Sequence, residues 1–315
     1  MKCWVELGDG RQLNLPAVTR WKFSYGTGLP CDSFEVRCLW EGDVPTVLSR
    51  AALFYASWQG ERVFTGVVDE FACVCGGDGL YLELSGRSMA ARLLDNEAMP
   101  VQYRRAACAD IVARHVTPYG VETVGGGDLP VVPGFSVDSG VSEWSVVWDY
   151  ACWHGGIVPR FDRMGRLVLD GHRDDKVLEI GDSAPVTGWE YRDQRHGVLS
   201  SVAVRRRTDW GVQWVVDREF SAQGGSARRV ITVPNETGAK AMRYSADYQL
   251  RASRSERVQL TVALAGAFLA WPGQLVEVKR SGLGGGRYRV AQAEVECSEA
   301  GLSTVLTLGL PDAMI

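Results

Sequence analysis

The sequence predicts a mainly β chain interrupted by a small α/β insert. Three observations carry this. Short runs with period-2 alternation recur near both ends of the chain. Glycine-rich turn signals separate those runs. Helical spacing of apolar residues is confined to the middle.

Residues 1–86 read as β. Phe34, Val36, Cys38 and Trp40 alternate with Glu35, Arg37 and Leu39, leaving one mostly polar face. Val63–Val68 and Gly79–Leu84 form a second strand pair. Turns fall at Gly26-Thr27-Gly28-Leu29-Pro30 and Gly76-Gly77-Asp78-Gly79, where glycine supplies positive φ at a hairpin tip. Several short strands with regular turns predict a barrel or a sandwich.

Residues 87–184 change period. Ser88–Asp95 make a short helical turn. Cys108, Ile111, Val112, His115 and Val116 share one helical face, and Pro118 and Gly120 end that helix. The Gly125-Gly126-Gly127 run and two prolines mark a loop. Trp144, Val147, Trp148, Ala151 and Cys152 repeat the helical spacing. Ser142 is the expected N-cap, Glu143 complements the dipole and Gly155 takes the C′ position. A hairpin follows, turning at Asp162–Gly165.

Residues 185–315 return to β. The expected strands are Leu199–Arg205, Gln213–Glu219, Arg257–Leu264, Gln274–Lys279, Arg287–Glu296 and Ser303–Leu308. Gly282–Gly286 reads as a mobile hairpin tip.

The bulk properties fit an ordered protein with a sizeable core. At 46% hydrophobic and 23% charged residues, the chain lacks the composition of disorder. A net charge of −4 is not that of a nucleic-acid binder. The eight cysteines have no paired CxxC spacing, so they are expected as reduced, mostly buried thiols. No leader, and no apolar run long enough to span a bilayer, is read, which predicts folding in a cytoplasm without membrane insertion.

Catalytic signatures are sparse. There is no HExxH zinc motif and no GxSxG elbow. His115 on an apolar helical face reads as a satisfied core histidine. His154 reads as a cationic helix C-cap. Cys152 and His154, two apart on a helix, do not face each other. No enzymatic activity, cofactor or metal is expected. The Gly282–Gly286 loop has no following helix and no Gly-Lys-Ser/Thr, so it is no phosphate cradle. In Arg205-Arg206-Arg207, strand alternation points Arg206 away from its neighbours.

Three stretches in order carry a resemblance. They are Leu82–Ser88 with Leu93-Leu94-Asp95; Ser142–Asp170; and Trp271–Val278, continuing through Gly286–Val290 to Gly301–Leu308. Together they resemble the baseplate-hub family of contractile-tailed phages and related injection systems, the late-control D type. The resemblance implies two tail-tube-like β-barrel modules flanking the insert. It implies a homotrimer whose six barrels adapt a six-fold tail tube to a trimeric spike. Its partners would be the tail tube protein, the spike, baseplate wedge proteins and the tape-measure protein, with DNA only as passing cargo. Its place would be the virion tail baseplate, assembled in the host cytoplasm.

The expected interface residues are Trp210, Trp214 and Trp271, aromatics near loops of the kind enriched at binding hot spots, with Gly284, Gly285 and Arg206. The competing readings are a cell-wall-degrading tail protein, a wall- or receptor-binding β module, and a distal-tail or tube ring protein.

Overall fold

The computed structural model describes residues 1–27, 31–77, 79–172, 176–208, 211–235, 237–255 and 257–311. Its first region holds strands β1 (Lys2–Leu7), β2 (Gln12–Asn14), β3 (Val18–Gly26), β4 (Ser33–Leu39), β5 (Ala51–Trp58), β6 (Glu61–Gly76) and β7 (Gly79–Ser88). The middle holds helices α1 (Ala91–Leu94), α2 (Cys108–His115) and α3 (Glu143–Trp148). Among them run short strands β8 (Val101–Gln102), β9 (Arg105–Ala106), β10 (Thr123–Gly125), β11 (Val132–Pro133), β12 (Ser136–Val137), β13 (Arg160–Phe161) and β14 (Leu167–Leu169). The remainder comprises β15 (Val177–Ile180), β16 (Val186–Asp193), β17 (Ser201–Arg206), β18 (Val212–Val216), α4 (Arg218–Ala222), β19 (Arg228–Val233), α5 (Ala239–Ser255), β20 (Val258–Ala265), β21 (Leu275–Val278), β22 (Gly286–Ser298) and β23 (Gly301–Gly309).

The protein is mainly β. Its two β regions are hydrogen-bonded to each other in one 13-stranded sheet. The strand order is β16-β20-β23-β22-β3-β4-β7-β6-β5-β1-β2, with β21 on β22 and β15 parallel to β21. The joint is β22 on β3, from Gln292 opposite Gly26 to Cys297 opposite Trp21. Among the described residues the ends of this path do not pair, so no closed barrel forms.

Alternation explains the core. Phe34, Val36 and Cys38 on β4 point inward with Trp21, Phe23 and Tyr25 on β3. They share one apolar cluster with Leu260, Val262, Val295 and Leu306 from the far end of the chain. Phe34 and Phe54 stack at 3.8 Å, and Phe23 lies 5.5 Å from Phe64. Gly86 is required here, because a Cβ on it would stand 2.0 Å from the Val67 carbonyl and 2.7 Å from the Phe34 ring.

The insert has its own core, running from Met89 to Leu169. Ser142 caps α3 as expected, its Oγ accepting the Ser145 N–H at 3.2 Å. Asp162 Oδ1 accepts the Met164 and Arg166 N–H groups and closes the β13–β14 turn. One expectation is corrected: the left-handed residue after the helix is Gly156 at φ +70°, while Gly155 stays right-handed, because a π turn over Asp149–His154 lengthens the helix end.

A third unit packs the three-stranded sheet β18-β17-β19 on α5. The sequence reading missed both helices here. The strand expected over Gln213–Glu219 stops at Val216, because the Asp217 side chain accepts the Phe220 N–H at 2.9 Å and starts α4. α5 was overlooked because its buried face is built of Ala241, Met242, Ser245, Ala246, Gln249 and Leu250, four of the six small or polar. The eight cysteines are free thiols: Cys3, Cys38 and Cys152 are buried and Cys75 is exposed. Among the described residues no helix is long and apolar enough to cross a membrane.

Candidate assembly surfaces

Two surfaces expose apolar side chains that a sheet ordinarily covers. The first is the edge strand β16. Register sets Trp189 opposite Val262 and Tyr191 opposite Leu260. Val262 and Leu260 are fully buried, so the two rings stand on the face of the sheet that elsewhere is core. Yet Trp189 is 52% and Tyr191 48% exposed. The core face continues to the sheet margin and stops uncovered. An edge strand also presents unpaired backbone groups, a ready template for another chain.

The glycine-rich hairpin between β21 and β22 lies against this edge. A Cβ on Gly284 would stand 3.7 Å from the Tyr191 ring, and Arg280–Leu283 and Val186–Trp189 line one shallow cleft. The hairpin expectation holds, and the hairpin is packed against the sheet edge. Leu283 is buried, and the Tyr288 hydroxyl donates to the Gly284 carbonyl at 2.5 Å. Gly284 needs its positive φ of +69°; Gly285 follows it towards β22.

The second surface is the outer face of the β18-β17-β19 sheet. Val202, Val204, Val215 and Ile231 point to α5, so alternation turns Val212, Trp214, Val216 and Val230 outward. Trp214 and Val230 flank Ala203 in one cross-strand row. The Arg228 guanidinium sits 5.8 Å over the Trp214 ring. Contiguous exposed apolar groups rimmed by charge mark interaction surfaces.

The expected interface residues thus separate. Trp214 is on the outer sheet face, and Gly284 and Gly285 are beside the β16 edge. Arg206 is on the opposite, α5-facing side, its Nε donating to the Thr237 carbonyl at 3.1 Å, while Arg205 faces out as alternation requires. Trp271 is half-buried: Tyr25 meets its ring edge-on at 5.1 Å and Arg163 of the insert lies 5.4 Å over it. It fastens the insert to the main sheet. Trp210 lies outside the described residues. Trp189 and Tyr191 were not singled out, although their alternation with Glu190 and Arg192 was a legible strand signal.

Two of the histidines lie in the interior of the insert. His115 is buried, with Nδ1 at 2.6 Å from Glu143 Oε2 and Nε2 at 2.8 Å from the Tyr103 hydroxyl. Tyr119 donates to Glu143 Oε1 at 2.7 Å. This is the satisfied core histidine expected. His154 differs from expectation. Burial pushes its imidazole down to about 4, so it is neutral where a cationic cap was read. Its ring packs edge-on against Phe135 at 5.6 Å. Among the described residues no three His, Cys, Asp or Glu side chains gather as a metal site.

No family model matches this sequence, and no curated protein does. Solved structures do. A tail protein from Neisseria meningitidis MC58 superposes with a TM-score of 0.78 at 18% identity, covering 100% of this chain and 99% of its own. The 43 kDa tail protein of prophage MuSo2 from Shewanella oneidensis gives 0.77 at 18% identity, with 100% and 99% covered. The fold is that of phage tail proteins. The E. coli c3393 protein, a type VI secretion component with structural similarity to the T4 bacteriophage tail proteins gp27 and gp5, matches at 0.58 and 12% identity. That match covers 93% of this chain and 73% of c3393.

Proposed function

We propose that this chain is a structural hub of a phage tail or contractile injection baseplate. The observation that carries the reading is the end-to-end match to two tail proteins, one of them from a prophage, in which the whole of each chain shares one fold. In this reading three copies form a closed ring. Each contributes two tube-like β modules, one from each end of the chain, so the ring presents six similar modules to a six-fold tail tube and three-fold symmetry to a spike. Heterologous contacts that close on themselves suit such a ring. The uncovered aromatic margin at β16 is the surface that would seat a neighbouring copy. Wedge proteins and the tape-measure protein are further partners, DNA is only passing cargo, and the chain itself breaks no bond. The type VI relative's likeness to the T4 tail proteins gp27 and gp5 supports a place in a tail or injection assembly.

Light scattering on the purified chain, alone and with its spike protein, tests this. Three copies of the 34.5 kDa chain, in either condition, are expected. Trp189→Ser combined with Tyr191→Ser should shift the trimer towards monomer while leaving the circular dichroism unchanged. A monomer under both conditions, or a hexamer, would overturn the trimeric-hub reading.

A further inference from the structure

A cavity of about 280 Å³ lies where the insert meets the α5 unit. One wall is the β11–β12 segment with the π turn Asp149–His154. The other is the end of β19 with the start of α5. Small-molecule pockets run about 300–1,000 Å³, so this volume is at the low end and has room for a single side chain.

The lining has a definite chemistry. Phe135, Trp153 and His154 supply rings, and the rest is a mixture of aliphatic and small polar side chains. Among the described residues Asp149 is the one carboxylate, and no lysine or arginine lines the space. Asp149 is an exposed residue, yet the protein around its carboxyl partly desolvates it and pushes it up to about 6. Two further lining residues, Ser245 and His154, hold buried polar atoms, Oγ and Nδ1, that have no hydrogen-bond partner. Ser245 is only 2% exposed. A carboxylate only accepts hydrogen bonds, and a hydroxyl and a neutral imidazole nitrogen can both accept. The cavity thus offers aromatic surface and, among the described residues, a single carboxylate, with two unpartnered polar atoms just beneath its wall.

We propose that this cavity is a socket for the guanidinium of an arginine side chain presented by a partner polypeptide. A guanidinium carries five donors in a planar fork, has no acceptor, and stacks on aromatic rings. The lining offers a partner to each feature: Asp149 takes the charge and the fork, and the aromatic residues supply π surface. An ammonium would satisfy the charge but lacks the planar fork and the stacking surface of a guanidinium. This inference goes beyond the hub reading and does not depend on it, because the socket is complete within one chain.

The test titrates N-acetyl-arginine amide into the full-length protein, followed by calorimetry and by tryptophan fluorescence. N-acetyl-lysine amide and N-acetyl-norleucine amide are the comparisons. A lone side chain should bind with a Kd on the order of 1 mM. Binding should be weaker for the lysine probe and absent for the norleucine probe. Asp149→Asn should weaken arginine binding about tenfold or more, the loss of one charge-assisted contact worth roughly 1.5–3 kcal/mol.

A second arm needs no variant. The groups facing Asp149 are Cys152 and His154 on its own turn and Tyr248 on α5. Between pH 7.5 and 5 only Asp149 among them titrates, so affinity should fall roughly tenfold on acidification. Equal binding of arginine and norleucine probes, undiminished binding to Asp149→Asn, pH-independent affinity, or no arginine binding at 20-fold above the expected Kd (on the order of 20 mM) would each overturn the socket.

Discussion

Replacing Phe23 with alanine should weaken both β regions at once. Phe23 sits mid-way along β3, opposite Phe34 on β4 and Val295 on β22. It is 1% exposed, with ring centres of Trp21 at 5.4 Å, Phe64 at 5.5 Å and Phe54 at 6.5 Å. Deleting such a ring removes its transfer energy and leaves a cavity the stacked neighbours cannot close, at a cost of about 3–5 kcal/mol. An unfolding entropy of about 2.1 cal/mol/K per residue sums to roughly 0.7 kcal/mol/K over the 315 residues, so Tm should fall by about 5–8 °C. The decisive assay is hydrogen exchange read strand by strand. If the sheet opens as one unit, amides of β6 and β20 should both lose protection by at least about a hundredfold. Acceleration in β6 with β20 unchanged, or a cost below about 1 kcal/mol, would refute a shared core.

Two further outcomes follow from buried polar groups. Burial raises the Asp32 carboxyl from 3.8 to about 7, against the pull of the Gly26 N–H at 2.9 Å. A folded pKa above the unfolded one gives stability that is full below pH 3.8 and lost as pH rises through 7, by up to about 4 kcal/mol. Asp32→Asn should therefore match the wild type in urea melts at pH 3.5 and be the more stable protein at pH 8.5; equal stability at both would dismiss the effect. Glu143→Ala strips the acceptor from His115 and Tyr119 and should cost about 2–4 kcal/mol, with Glu143→Gln costing less. Equal melts for the two variants would show that water replaces the carboxylate.

How much of this was legible depends on the range of each interaction. Phe34, Val36 and Cys38 announce a strand through their own spacing, and Ser142 announces α3 through one local hydrogen bond. The pairing of β3 with β22 joins residues some 270 apart, and nothing in either strand names the other. α5 hid because helical periodicity was sought in large apolar residues, whereas tight packing on β17 favours Ala246 and Ser245. Among the surface residues, Trp214 stood out by type and proved exposed; Trp271 stood out equally, but Tyr25 and Arg163 occupy it. Residue type gives the capacity for contact, and only the fold says whether a neighbour has already used it. Trp189 and Tyr191 needed the register with β20 to reveal that they stand on a core face.

The β3–β22 pairing also sets a clock on synthesis. About 260 residues separate the end of β3 from the start of β22, and at roughly 5–20 residues per second the ribosome takes on the order of 13–50 s to cover them. Through that interval β3 has β4 on one side and an open edge on the other, with Trp21, Phe23 and Tyr25 only partly covered. Neighbouring nascent chains carry the same open edge, so crowded translation favours pairing between molecules over pairing within one. Slower initiation or lower message density, rather than a stronger core, is what should raise the yield of correctly closed chains.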